Sequence, residues 1–259
     1  MRVTRRVLLA SAAGLAAAGI VRAMGTTQSN DNVFELRQYT LRGGRRETLI
    51  TLFEKYFIES QDAVGAHVIG IFRDLDDPDR FVWIRGFHDM LLRRQALESF
   101  YGGPVWQAHR LAANATMIDS DNVLLLRAAA PGQGLTSTSA RPAGMFGVDI
   151  YYLDTTPMAE FAQFFDTALL PHYTPAGAQI LAQLTTEEAQ NDFRLPVREH
   201  ERTYVCVTRW PSVEAHDEFV RRYHALSGWR DHAPEIILPA LMRKPEQLRL
   251  TPTEHSPLQ

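Results

Sequence analysis

Hydrophobic and polar positions alternate in several short segments, which is the pattern of half-buried β-strands. The first block of the chain contains four such segments: "VFELRQYTL", "AHVIGIF", "RFVWIRGF" and "NVLLLR". After the first of them, apolar residues recur at the spacing of one helix face, at Leu49, Leu52, Phe53, Tyr56 and Phe57. A second helix is predicted over roughly residues 90–101, and "YGGPVWQAHRLAANAT" is predicted to be an irregular or partly helical crossing. The resulting order, β-α-β-β-α-β, indicates a ferredoxin-like unit.

A second block repeats this order. "MFGVDIYYL", "AGAQILAQL" and "TYVCVTRW" take the places of the first three strands, and helices are predicted over 157–170 and over "SVEAHDEFVRRYHAL". The second copy differs by a longer, charged insert, "EEAQNDFRLPVREHER", between its middle strands. Between the blocks, residues 128–144 are rich in Ala, Gly, Ser, Thr and Pro and are predicted to be a linker. The predicted domains are therefore 33–127 and a diverged copy at 145–253.

The alternation also predicts what each sheet face contacts. One face of the first copy carries Leu36, Val82 and Ile84, and we assign it to the helices. The opposite face carries Glu35, Arg37, Tyr39, Leu41, Phe81, Trp83, Arg85 and Phe87. A large apolar face of this kind marks an interface. We therefore expect an α+β fold in which the two ferredoxin-like units pack sheet-to-sheet as an α+β barrel within one chain, and a further homodimer is left open.

The aspartate-rich segment "DLDDPD" before the third strand raises the question of a cation site. An EF-hand loop counted from Asp74 requires Gly at its sixth position and Glu at its twelfth, but the sequence has Asp79 and Arg85 there. Pro78 and the aspartates are typical of a hairpin turn instead. No metal site is predicted.

The N-terminus departs from the globular pattern. Arg2, Arg5 and Arg6 precede an apolar run from Val7 to Val21, which is short for a membrane span. The twin arginines in "TRRVLL" favour a Tat-like signal peptide over residues 1–23, with a Sec signal or an uncleaved anchor as alternatives. The prediction is periplasmic or extracellular export, with no stable membrane span after cleavage.

Composition narrows the function classes. A net charge of −3 gives no clustered basic face for nucleic acid, and the single cysteine, Cys206, excludes an internal disulfide or a multi-cysteine metal site. The chain contains no motif for a P-loop, a dinucleotide fold, a zinc protease or a serine hydrolase. No cofactor is predicted from these patterns.

Three segments of the first block closely resemble the NIPSNAP family: "FELRQYTLRGGRRETL", "DPDRFVWIRGF" and "FYGGPVWQAHRLAANATMIDSDNVLLLR". The second block resembles it in pattern only, since "GVDIYYL" replaces "FELRQYTL" and "YGGPVW" is missing. The resemblance implies a dimeric α+β barrel fold. It implies little about activity, because relatives of that fold include cofactor-free monooxygenases, isomerases and haem-using enzymes.

The candidate binding residues come from the face assigned to the barrel interior. Arg37 and Arg85 suit an anionic or carbonyl-bearing ligand, Tyr39 and Trp83 supply an aromatic wall, and Glu35 is either a proton acceptor or the partner in a structural salt bridge. His67 and His109 are further candidates, as a general base or as residues on a functional crossing.

Two classes of function remain open. The first is an exported enzyme or binder with a small-molecule pocket between its sheets, of the cofactor-independent monooxygenase or isomerase type. The second is a non-enzymatic interaction module whose inner sheet face only packs. Haem binding by His67, His109 or His172 is a weaker third hypothesis. The halves also differ at matched positions, with Asp149, Cys206 and Thr208 in place of Arg37, Trp83 and Arg85, so any pocket is expected to be asymmetric.

Overall fold

The computed structural model describes residues 31–136, 144–225 and 240–259. The first half contains the strands β1 (Val33–Leu41), β2 (His67–Asp74), β3 (Arg80–Phe87) and β4 (Met117–Ala128). Its helices are α1 (Arg46–Leu52), α2 (Ile58–Asp62), α3 (Met90–Gly102) and α4 (Pro104–Asn114), and a π-helical turn at Phe53–Phe57 joins α1 to α2.

The second half repeats the arrangement. Its strands are β5 (Met145–Tyr152), β6 (Gln179–Thr186), β7 (Thr203–Trp210) and β8 (Glu246–Pro252). Its described helices are α5 (Met158–Phe164), α6 (Leu170–Tyr173) and α7 (Val213–Ala225), with a π-helical turn at Phe165–Leu169 and a 3₁₀ turn at Thr174–Ala176.

The eight strands close into one antiparallel barrel in the order β1-β3-β2-β8-β5-β7-β6-β4. Each half supplies four adjacent strands. The halves meet at two short seams, where Phe72–Asp74 of β2 pair with Leu250–Pro252 of β8 and Leu126–Ala128 of β4 pair with Leu184–Thr186 of β6. The α+β barrel expected from two sheet-to-sheet units is confirmed.

The barrel interior is a single apolar core with contributions from all eight strands. Phe34, Leu36, Val82 and Ile84 from the first half pack there with their counterparts from the second, Phe146, Val148, Val205, Val207, Leu248 and Leu250 among them. The two sheet faces are therefore the reverse of those predicted from the sequence. Glu35, Arg37, Tyr39, Trp83 and Arg85 point away from the barrel interior and towards the helices.

A physical reason accounts for this reversal. The interior of this barrel is filled by strand side chains together with Leu135 and Leu258, so an arginine there would have no helix to supply a partner. On the outer face, the helices bring polar and aromatic groups: Phe53 lies 4.7 Å from the Trp83 ring, measured between ring centroids, and Gln61 of α2 accepts a hydrogen bond from Arg85. The face with the larger and more polar side chains therefore packs under the helices.

Two local predictions have clear outcomes. The aspartate-rich segment is a turn between β2 and β3, in which Oδ1 of Asp74 accepts the backbone N–H groups of Asp76 and Asp77 at 2.8 and 3.2 Å. The crossing at "YGGPVWQAHR" is more regular than predicted, because Pro104 occupies the first turn of a continuous helix, α4, after the extended Gly103. The predicted signal segment 1–23 and part of the predicted linker lie outside the described residues.

Within the described ranges, no helix is both long and apolar enough to cross a membrane.

Candidate functional site

Five of the predicted residues lie together between the first-half sheet and its helices, around the buried carboxylate of Glu35. Glu35 lies directly opposite Arg85 on the neighbouring strand, and Arg37 follows two residues later on the same face. Oε2 of Glu35 accepts hydrogen bonds from Arg37 Nη1 at 2.6 Å and Arg85 Nε at 2.8 Å. Oε1 accepts one from Arg93 Nε of α3 at 2.7 Å. The strand register therefore assembles the cluster, and a helix completes it.

The guanidinium groups set the charge state of this carboxylate. Burial alone would raise the pKa of Glu35, but the positive charges of Arg85, Arg37 and Arg93 outweigh it and hold the pKa below its usual range. Aromatic rings enclose the cations: Arg37 lies 5.4 Å from the centroid of the Trp83 ring and Arg85 lies 5.0 Å from it. Arg37 Nε also donates to the Tyr39 hydroxyl at 2.9 Å. The network is ionised and densely packed.

The two predicted histidines lie elsewhere. His67 pairs with Asp31 at the start of β2, with Nδ1 2.8 Å from Oδ1. The Asp31 hydrogen bond raises the pKa of His67, against the smaller opposing effect of burial. His109 of α4 stacks on Tyr56, with 3.7 Å between the ring centroids. In the described ranges, no group of three or more His, Cys, Asp or Glu side chains is placed to hold a metal ion.

The insert of the second half, residues 187–202, covers the first half. Phe193, Leu195 and Val197 pack against the apolar side chains under the first-half helices, and the Phe193 ring stacks on Tyr101 at 5.9 Å. The backbone N–H of Arg198 donates to the carbonyl of Val123 on β4. The counterpart loop of the first half, residues 75–79, is far shorter. It contacts the second half through Arg249, which forms an ion pair with Asp76 at 2.7 Å.

The second half has a cavity of about 470 Å³ on the same side of its sheet, between β5, β8 and α7. Aromatic side chains make up most of its wall, and Arg243 and Lys244 contribute positive charge. The lining residues are Asp149, Tyr151, Tyr173, Trp210, His216, Phe219, Val220, Tyr223, Leu241, Arg243, Lys244, Pro245 and Gln247. A concave, mostly apolar site with a few convergent polar groups is the usual form of a small-molecule pocket.

Asp149 is the buried acid of this cavity. It takes the position of Arg37 in the first half and is 8% exposed. Its Oδ1 accepts a hydrogen bond from Gln247 Nε2 at 3.0 Å, and its Oδ2 accepts one from the Tyr173 hydroxyl at 3.2 Å. Burial raises the pKa of Asp149, and the bond from Gln247, the charge of His216 and the bond from Tyr173 oppose it only in part. An acid with a raised pKa in a cleft is a functional-site candidate.

The thiol next to it is unsuited to nucleophilic chemistry. Cys206 lies opposite Asp149 on β7 and is completely buried. Burial, and then the charges of Asp149 and Asp166, raise the pKa of Cys206 well above its usual range, so the thiol stays protonated. Cys206 is therefore a small core residue.

Sequence reasoning missed this cavity as a whole, although it noted Asp149 and Cys206 as differences between the halves. The signal that could have found it is an aspartate within the apolar strand "GVDIYYL", opposite a small residue where the first half has Trp83. Tyr151 of β5 and Trp210 of β7 also line the cavity. The rest of the wall comes from α6, α7 and residues 241–247, which only the tertiary structure brings together.

Solved structures with the same fold include a candidate monooxygenase from Fusobacterium nucleatum, with a TM-score of 0.58 at 8% identity over 86% of this chain and 92% of that one. A candidate monooxygenase from Lactobacillus acidophilus NCFM gives a TM-score of 0.52 at 13% identity over 87% and 98% of the two chains. An anthrone oxidase-like protein gives 0.56 at 13% identity over 88% and 94%. At these identities the likeness shows the fold alone.

Among curated proteins, none matches the chain. A family model does match it: residues 34–131 fit NIPSNAP, which is the segment that forms β1 to β4 and the helices over the Glu35 cluster. The resemblance of the first half of the barrel to the NIPSNAP family is therefore confirmed over residues 34–131.

Proposed function

We propose that the protein is an enzyme that binds an aromatic small molecule in the second-half cavity and removes a proton from it with Asp149. The observation that carries the proposal is a buried carboxylate in an aromatic-walled cavity, with both of its oxygens oriented by neighbours. The proposed site lies between the second-half sheet and its helices. A pocket between the two sheets, as expected from the sequence, would need other residues than those predicted, since Glu35, Arg37, Tyr39, Trp83 and Arg85 face the helices.

The raised pKa suits Asp149 to general-base work. A base transfers protons best when its pKa lies near the operating pH, and burial moves the Asp149 carboxyl in that direction. Gln247 and Tyr173 fix the orientation of the carboxylate, and the aromatic wall offers stacking surfaces for a flat substrate. Arg243 and Lys244 supply positive charge for the anion formed by deprotonation.

Two reactions begin with this step. Reprotonation at a second carbon gives an isomerase. Reaction of the carbanion of a CH2 group with O2 gives a ketone and water, so that one oxygen atom enters the product, the other leaves as water, and the substrate supplies all the electrons. The structures of similar fold that are described as candidate monooxygenases or as anthrone oxidase-like favour the second reaction by analogy.

The test uses anthrone, a flat aromatic with an acidic CH2 group, as the probe. Turnover is followed by anthraquinone absorbance and oxygen consumption, and binding is followed by tryptophan fluorescence, since Trp210 lines the cavity. We expect Asp149→Asn to lower turnover by about 10²-fold or more while binding persists. Glu160→Gln, an exposed acid on α5, is the matched control and should be unchanged.

Either of two results would contradict the proposal. If anthrone neither quenches fluorescence nor is consumed by the wild-type protein, the substrate class is wrong. If Asp149→Asn turns anthrone over at the wild-type rate, Asp149 is not the base.

We also propose that the chain is exported through the twin-arginine signal at its N-terminus. The support is the sequence pattern of Arg5 and Arg6 before a short apolar run.

A non-enzymatic interaction module is the second candidate function. The apolar core between the two sheets favours it, because the side chains on that face pack against each other.

A further inference from the structure

The cluster around Glu35 contains more positive than negative charge. Three guanidinium groups, those of Arg37, Arg85 and Arg93, are 3%, 0% and 0% exposed and share the single buried carboxylate of Glu35. A second carboxylate, Asp192 of the insert, comes within 3.5 Å of Arg93 Nη1, but its side chain is 36% exposed. Buried charges are stable only when paired and hydrogen-bonded, so this site favours one more anion.

Two donors in the cluster also have no partner. Within the described part of the chain, Arg93 Nη2 and the indole nitrogen of Trp83 are buried and form no hydrogen bond, and Arg85 Nη2 has only its ion-pair contact with Glu35 Oε2 at 2.7 Å. Each unsatisfied donor of this kind costs free energy unless something accepts from it. Arg93 is the more informative of the two, because its other nitrogens are already directed at Glu35 and at the insert.

A surface cavity comes close to Arg93. A cavity of about 360 Å³ lies between β4 and the insert. Its wall consists of Leu125, Thr186 and residues 187–191 and 197–200, among which Glu187, Glu188 and Glu199 are acidic and Arg198 is basic. Asn191 separates this cavity from the cluster, since it lines the cavity and its Oδ1 accepts from Arg93 Nη1 at 3.1 Å. Movement of the Asn191 side-chain amide and of the neighbouring Asp192 would expose Arg93 to the cavity.

We propose that Arg93 binds a small oxyanion, a carboxylate or a phosphate group, that enters through the cavity under the insert and takes the place of the Asn191 and Asp192 contacts. The planar guanidinium presents paired N–H donors that match the oxygens of either group. Glu35 stays in place and holds the opposite edge of Arg93. The site is in the first half, so it is independent of the aromatic cavity and of any role of Asp149.

The experiment is calorimetric titration of the full chain with sodium acetate and with inorganic phosphate, at constant ionic strength maintained by sodium chloride. We expect saturable binding of at least one of the two. Arg93→Gln should weaken that binding by about tenfold or more, because it removes charged hydrogen bonds. Arg94→Gln, the exposed neighbour that pairs with Glu98, is the matched control and should bind like the wild type.

A second variant decides the matter if Arg93→Gln does not fold. Asp192→Asn removes the competing carboxylate from a partly exposed position, so it should tighten oxyanion binding. The proposal is overturned if neither anion gives a saturable signal beyond that of chloride, if Arg93→Gln binds as tightly as the wild type, or if Asp192→Asn leaves the affinity unchanged or lower. None of these results bears on turnover of anthrone.

Discussion

Replacement of Glu35 by Gln tests how far one carboxylate stabilises the first half of the barrel. Glu35 is 0% exposed and makes four contacts of 2.6–2.8 Å with the nitrogens of Arg37, Arg85 and Arg93. A glutamine keeps the shape but has one acceptor oxygen, and its NH2 group is directed at donors. The three cations would then be left with the partly exposed Asp192, 3.5 Å from Arg93, as their nearest balancing charge.

Removal of one partner from a buried ion pair costs about 3–5 kcal/mol. Since about 1 kcal/mol shifts the melting temperature of a domain of this size by about 2–4 °C, the expected decrease is roughly 6–20 °C. The assay is urea unfolding followed by far-UV circular dichroism, with a thermal melt as a second measurement. Glu98→Gln is the matched control: Glu98 forms an exposed ion pair with Arg94, so its loss should leave the urea midpoint and the melting temperature close to those of the wild type.

The same carboxylate gives a pH dependence of defined sign. The pKa of Glu35 is lowered in the folded protein, so its contribution is fully present above the ordinary pKa of 4.5 and is lost only as the pH falls towards the lowered folded value. Wild-type stability should therefore decrease below about pH 4.5 more steeply than that of Glu35→Gln. If Glu35→Gln unfolds within about 1 kcal/mol of the wild type and with the same pH profile, the carboxylate does not hold the cluster together.

The remaining predictions concern His67 and the N-terminus. The pKa of His67 is raised by Asp31, so the stability contributed by this pair is fully present below the ordinary pKa of 6.5 and is lost as the pH rises through the folded value. The pair is partly exposed, so His67→Gln should lower the free energy of unfolding by less than about 1 kcal/mol and weaken its dependence on pH above pH 6.5. The measurement is urea unfolding across pH 5.5–8.5. If the variant keeps the pH dependence of the wild type, the His67–Asp31 pair is not its source. Replacement of Arg5 and Arg6 by Lys should stop export in a cell fractionation assay, whereas continued export of the double variant would favour a Sec signal.

The order of elements was predictable because the alternation of strands and the apolar faces of helices are local signals. The face of the sheet that lies under the helices was not predictable. Every residue of β1 except Thr40 is buried, so apolar side chains lie on both faces of that strand and periodicity alone cannot tell helix side from barrel side. Burial on both faces removes the contrast between exposed and buried positions from which the orientation of a strand is assigned.

The grouping of the candidate residues was predictable for the same local reason. Glu35, Arg37, Tyr39, Trp83 and Arg85 share one face whichever way that face points, and the antiparallel register brings them together. Arg93 could not be found in this way. It stands beside Arg94 in "MLLRRQAL", and only the packing of α3 on the sheet makes one of them fully buried and the other exposed. The second-half cavity depends even more on segments that are distant in sequence.

The two short seams have a consequence for assembly. Only three register pairs join β2 to β8 and three join β4 to β6, whereas eight join β1 to β3. The halves are also connected by a segment, residues 128–144, of linker-like composition. The same seams are satisfied when a half pairs with the complementary half of another molecule, which is the condition for domain swapping. We therefore expect the tether to favour closure within one chain at low protein concentration, and exchange of halves between two chains only at high concentration.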